Sequence, residues 1–172
     1  YITNCPECNS QLLKNKNEAQ HYCPNSTGCM PQRVGRVAHF ISRKAMDIDG
    51  LGSETILLLI RNKLINSCAD LYSLKKSDLT SLEGLAKKSA DNIINAISES
   101  IQIPYNRVLF ALGIRYVGQT VAKKLANQFT SIDALINATS EELESVDGIG
   151  NRITFSVIDF FKNQENLIIV NK

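Results

Sequence analysis

Val146-Asp147-Gly148-Ile149-Gly150-Asn151-Arg152 sets an aliphatic residue between two glycines and then opens into a stretch with helical spacing. Glycine serves where φ turns positive or where the backbone must approach something closely. The pattern recurs as Asp49-Gly50-Leu51-Gly52, Glu83-Gly84-Leu85-Ala86 and Arg115-Tyr116-Val117-Gly118, so that Gly52, Ala86, Gly118 and Gly150 follow one another at 34, 32 and 32 residues. A period held this closely marks repeated supersecondary units.

The flanks repeat with the loops. Seven residues before each of those positions stand Ala45, Leu79, Ala111 and Leu143; four before stand Ile48, Leu82, Ile114 and Val146; seven after stand Leu59, Ile93, Leu125 and Val157. Spacings of three and four on both sides predict two amphipathic helices sharing one apolar face across a tight hairpin. In this reading Gly52, Gly118 and Gly150 permit the turn, and the aliphatic residue at its middle plugs the space between the helices. Positions four beyond, Ile56, Ala90, Ala122 and Thr154, are where the paired helices should cross. The fold expected is mainly α: four tandem helix-hairpin-helix motifs behind a small four-cysteine zinc finger. They group into two doubled units, residues 40–100 and 104–164, separated at Pro104, which breaks a helix. Tetratricopeptide repeats share a 34-residue period, and a helical scaffold that binds proteins is the competing reading. It fits poorly, because the chain has no tryptophan and its glycines cluster in the hairpins.

The first thirty residues carry different chemistry. Cys5, Cys8, Cys23 and Cys29 form the pattern C-x2-C-x14-C-x5-C, in which a tight turn presents two thiolates and a longer loop returns two more. The residues between Cys8 and Cys23 are too few and too polar to make a core, so an ion must supply the stabilisation. Four thiolates close a tetrahedral zinc site and leave no place for a reactive water, which makes the ion structural. A disulfide or redox Cys-x-x-Cys is the alternative, disfavoured without a thioredoxin-like surrounding. His21 is a weaker competitor as ligand, and Cys68 reads as a small apolar residue. The boundary expected between this module and the hairpin domain is 1–32 against 33–172.

Each second helix starts directly after its hairpin, so its unpaired N–H groups and those of the loop point into one small space suited to an anion. The helix dipole adds ~0.3–1 kcal/mol per site. The candidate phosphate-contacting residues are Gly50, Leu51 and Gly52; Gly84, Leu85, Lys87 and Lys88; Tyr116, Val117, Gly118, Gln119 and Thr120; and Gly148, Ile149, Gly150, Asn151 and Arg152. Arg43 joins them from a basic connector, Arg33, Arg36, His39, Arg43 and Lys44. Net charge is only +2, so the grip should come from neutral amides with a few cations assisting. Contacts confined to phosphates would be blind to base sequence. With 44% hydrophobic residues the chain can build ordinary cores, and no apolar run reaches membrane length. A cytoplasmic setting is expected, and a chain opening on Tyr1 reads as a piece of a longer polypeptide.

Taken in order, C-P-E-C with its second cysteine pair, H-F-I-S-R-K-A-M-D-I-D-G-L-G (39–52), A-D-L-Y-S-L (69–74), L-F-A-L-G-I-R-Y-V-G (109–118) and V-D-G-I-G (146–150) closely resemble the C-terminal part of bacterial NAD-dependent DNA ligase. The resemblance covers essentially the whole chain. It implies a full-length enzyme that seals nicks in duplex DNA during replication and repair, using NAD to adenylate a lysine in a Lys-x-Asp-Gly motif, with Mg2+. No lysine here has Asp-Gly at that spacing. The resemblance therefore implies a DNA-gripping part, inactive alone, whose zinc module braces the hairpins against neighbouring domains and whose hairpins ride the minor groove. Ala86 stands where the family pattern has glycine, which makes the second hairpin the most doubtful phosphate site.

Overall fold

The computed structural model describes residues 2–14 and 19–172. Tyr1 and residues 15–18, the latter part of the loop between Cys8 and Cys23, lie outside the described residues. The zinc-finger segment opens with a turn in which the Cys5 amide donates to the Ser10 carbonyl at 2.8 Å. Asn9, with φ of 56°, supplies the left-handed residue, a conformation asparagine tolerates better than most side chains. Short antiparallel strands β1 (Leu13–Lys14) and β2 (His21–Tyr22) follow, pairing Leu13 with Tyr22 and Lys14 with His21.

Helix α1 (Met30–Ile41) begins at Cys29, its N-cap, with Pro31 in the first turn where a missing N–H costs nothing. Val37, Phe40 and Ile41 are buried at spacings of three and four. Residue 32 thus falls inside a continuous helix whose apolar face belongs to the hairpin domain.

Beyond α1 the chain continues through α2 (Ser53–Arg61), a 3-10 turn (Cys68–Ser73), α3 (Lys76–Thr80), α4 (Lys87–Ser100), α5 (Tyr105–Ala111), α6 (Gln119–Gln128), α7 (Ile132–Ile136), α8 (Ser140–Glu144), α9 (Asn151–Lys162) and α10 (Gln164–Val170). Helices pair as α1 with α2, α3 with α4, α5 with α6 and α8 with α9, one pair to each hairpin. Two hydrophobic cores result. One gathers Ile56, Leu59, Leu71, Leu79, Ala90 and Ile93 with the face of α1; the other gathers Leu109, Ala122, Leu125, Leu135, Leu143 and Val157. Pro104 is the N-cap of α5, so it starts a helix as well as ending the run before it.

The flanking aliphatics are inside, but not all on helices. Ile48, Leu82, Ile114 and Val146 sit in the loops, and in the first hairpin Ala45 does too, because residues 42–52 fold back with the Met46 amide on the Phe40 carbonyl and the Ile48 amide on the Ile41 carbonyl. A tight turn buries residues at spacings of three as effectively as a helix does. The two halves are joined between α1 and α5: His39 Nε2 lies 2.8 Å from the Phe110 carbonyl, and Arg107 Nη2 donates to the Arg43 carbonyl at 2.5 Å.

Candidate metal centre and nucleic-acid interface

The four sulfurs of Cys5, Cys8, Cys23 and Cys29 lie within 4.8 Å of one another, with Cys5 to Cys29 at 4.0 Å and Cys8 to Cys23 at 3.5 Å. Tetrahedral zinc with metal–sulfur bonds of ~2.3 Å needs sulfur–sulfur edges of ~3.8 Å, so the cluster fits the ion. The cysteines are not disulfide-bonded. His21 is exposed on β2 and takes no part in the cluster. Hydrogen bonding to the Ser10 hydroxyl brings the Cys8 thiol down to about 6, whereas burial pushes Cys23 up to about 12 and raises Cys29. An ion would take all four as thiolates and release their protons. Cys23 and Cys29 are held to each other by Gln32, whose side-chain amide donates to the Cys23 carbonyl at 2.9 Å from the first turn of α1. Cys68 is half-buried, and burial pushes its thiol up to about 11.

The hairpins share one backbone design, and the residue in the left-handed region is the second of the four loop residues, not the last. Gly50, Gly84 and Gly148 have φ of 89°, 83° and 78°, and Tyr116 stands at the equivalent place with φ of 65°. The amides of Leu85, Val117 and Ile149 close a four-residue turn onto the carbonyls of Leu82, Ile114 and Val146 at 3.3, 3.0 and 2.9 Å. The third residue of such a turn takes positive φ when it is of type II. Gly52, Gly118 and Gly150, read from the sequence as the permissive residues, are extended N-caps with φ of −77°, −79° and −102°, and Ala86 at the equivalent place has φ of −70°. A methyl group at Gly52, Gly118 or Gly150 would meet nothing within 4 Å. Ala86 therefore repeats the backbone of its three counterparts, and its methyl causes no distortion of the second hairpin.

What distinguishes these four loops is that unspent amides lead into an uncapped helix. Helices α1 and α5 also start without a side-chain cap, but the Cys29 amide is spent on the Asn25 carbonyl at 3.1 Å and Pro104 has no N–H. Helices α2, α4, α6 and α9 have no side-chain cap. By contrast α7, α8 and α10 are capped by Ser131, Thr139 and Asn163. Among the described residues, the amides of Gly50, Gly52, Gly84, Ala86, Gly118, Gly148 and Gly150 donate to no protein acceptor. Orphan donors at a helix start make an anion site.

The side chains divide into two groups. Leu51, Val117 and Ile149 are buried and Leu85 is half-buried, so these four hold the loops in place and present no side chain outward. Lys87, Lys88, Gln119, Thr120, Asn151 and Arg152 are exposed at the helix starts. Arg43 and Lys44 come together with Gln119 and Arg107 around a cleft of about 530 Å³. Arg33 reaches Asn66, and His39 is committed to Phe110, so the basic connector is only partly a charged face.

Sequence reading missed Lys124, whose ammonium donates to the Asp147 carbonyl and carboxylate at 2.7 Å each, bracing the fourth hairpin from α6. It also missed the stacking of Arg152 on Tyr116, with the guanidinium carbon 4.0 Å from the ring centroid and Nη2 donating to the hydroxyl at 2.5 Å. A non-glycine residue in the left-handed region costs on the order of 1–2 kcal/mol, and Tyr116 carries that cost.

Three family profiles match in series: the NAD-dependent DNA ligase C4 zinc finger domain over residues 4–30, a SAM-like helix-hairpin-helix tandem over 42–99 and a helix-hairpin-helix motif over 107–170. Among curated relatives, a DNA ligase of Christiangramia forsetii is 59% identical over 97% of this chain, one of Flavobacterium johnsoniae 56% over 100%, and one of Bacteroides fragilis 50% over 100%. The chain spans 26% of the length of each. Cysteine cluster, hairpin order and whole-length similarity agree, and the chain belongs to the NAD-dependent DNA ligase family, of which it carries the zinc-finger and helix-hairpin-helix portion.

Proposed function

We propose that this chain grips duplex DNA by its sugar-phosphate backbone, without sequence preference, as the binding part of an enzyme that seals nicks. The observation that carries the reading is the set of four uncapped helix starts preceded by unspent loop amides, a combination that the uncapped starts of α1 and α5 lack. Each start offers main-chain donors to one phosphate, while Lys87, Lys88, Gln119, Thr120, Asn151 and the Arg43 cleft assist. Leu51, Leu85, Val117 and Ile149 set loop shape beneath the contact.

The sealing chemistry itself is assigned elsewhere in the enzyme. It needs an adenylated lysine in Lys-x-Asp-Gly, which this sequence lacks, and NAD and Mg2+ would act there. The chain alone is accordingly inactive. Structural zinc on the four cysteines holds the first module, the other domains of the ligase are its partners within the enzyme, and the setting is the cytoplasm, where reduced thiolates persist.

A titration of the zinc-loaded chain against nicked duplex at two salt concentrations tests this. Affinity should fall as salt rises, with a shallow slope because neutral amides release few counterions. Failure to bind any duplex at low salt would overturn the reading.

A further inference from the structure

Three hairpins place glycine at the left-handed position and the third places Tyr116 there. The turn asks for no side chain at that point, since its counterparts do without one, so the ring must be kept for what it touches. It touches two arginines. Arg152, the second residue of α9 and 36 positions away, lies with its guanidinium carbon 4.0 Å from the ring centroid and donates to the hydroxyl at 2.5 Å; Arg115, its neighbour in the chain, lies 4.9 Å from the centroid. Stacking together with an edge hydrogen bond leaves a guanidinium one orientation out of many. The ring thereby connects the third hairpin to the first turn of the helix that follows the fourth.

Two guanidiniums around one ring concentrate positive charge. They lie at the rim of a groove of about 1290 Å³ that Arg36 and Asp159 also line. A planar fork of donors matches the oxygens of a phosphate.

We infer that Tyr116 is a positioning residue that fixes Arg152 and Arg115 as one clamp on a backbone phosphate, so that the third and fourth hairpins bind as a unit. The inference rests on the duplex-binding reading above. It differs from a simple row of amide sites in predicting that one aromatic side chain, which no phosphate need touch, sets part of the affinity and of its salt dependence.

The test compares zinc-loaded wild type, Tyr116→Gly and Tyr116→Phe by thermal melting and by titration with nicked duplex across a salt series. Glycine is the residue the other three turns use, so Tyr116→Gly should melt no lower than wild type. It should nevertheless bind about tenfold more weakly, with the log–log salt slope shallower by about one. Tyr116→Phe keeps the stack and loses the hydroxyl acceptor, and should lose about two- to threefold with the slope nearly intact. Wild-type affinity and slope in Tyr116→Gly would overturn the inference. So would a lower melting temperature with an unchanged slope, which would make the ring a packing element. Absence of duplex binding by the wild type would instead overturn the duplex reading itself.

Discussion

Nε2 of His39, on α1, lies 2.8 Å from the carbonyl oxygen of Phe110, on α5, and the two rings meet edge to face at a centroid distance of 4.8 Å. A carbonyl only accepts, so the imidazole donates through Nε2–H. This contact pins one hydrophobic core against the other, and it turns a histidine read as part of a basic face into a brace. His39→Ala should lower stability by about 1–2 kcal/mol, the worth of a hydrogen bond and an aromatic contact. The loss stays modest because the Phe110 carbonyl also accepts from the Gly113 amide at 3.1 Å. Urea unfolding measures it, and the salt slope of duplex binding should not move.

The two glycines of the fourth hairpin should respond in opposite ways to alanine. Gly148 has φ of 78°, and a Cβ there would stand 2.9 Å from the Lys124 ammonium nitrogen, so Gly148→Ala should cost about 1–2 kcal/mol. Gly150 is extended and open, so Gly150→Ala should gain about 0.4–1 kcal/mol through the unfolded state. The same Gly150 variant should bind duplex more weakly, since its methyl would crowd an oxygen approaching the amide. Melting curves and titrations on both variants check the contrast.

Asp70 links stability to pH. Its carboxylate accepts from the amides of Asn66 and Ser67 at 2.9 and 2.8 Å and pairs with Lys172. Burial works to raise its proton affinity, but Lys172 and the amides outweigh that and hold it below its ordinary value of 3.8. A carboxylate depressed in the folded state contributes its full stabilisation above about 3.8 and loses it as pH falls through the lower folded value. Asp70→Ala should therefore cost about 1–2 kcal/mol at neutral pH, as lost caps do, and the gap from wild type should close below pH 4. Denaturation at a series of pH values reads this directly.

Chelation should not split the molecule cleanly at residue 32. Cys29 is both a candidate ligand and the N-cap of α1, so removing the ion should unfold the cysteine module and fray the first turn of α1 while sparing the hairpin cores. Amide hydrogen exchange before and after a strong chelator should lose protection through Arg33 and keep it at Val37 and beyond.

The hairpin architecture was legible because period and burial reinforce each other: Leu59, Ile93, Leu125 and Val157 are all fully buried, as their equivalent places demand. The cysteine cluster was equally plain from spacing. Other features escaped for definite reasons. Helices α7 and α8 have five residues each, too few for a period to register, although Thr139 and Glu142 form a capping box that marks the start of α8. The wrong glycine was chosen as the flexible one because the third loop has no glycine at its left-handed place, where Tyr116 departs from the rule. Bracing by Lys124 and Arg107 joins residues far apart in sequence, and no local pattern announces it.

Donors that belong to the peptide bond have an evolutionary side. A lysine that holds an anion can be lost by one nucleotide change, but exchanging the residue at Lys87, Gln119 or Asn151 for almost any other leaves its N–H in place. Only proline deletes it. A grip built this way would tolerate drift at the first residue of each helix and yield to proline there.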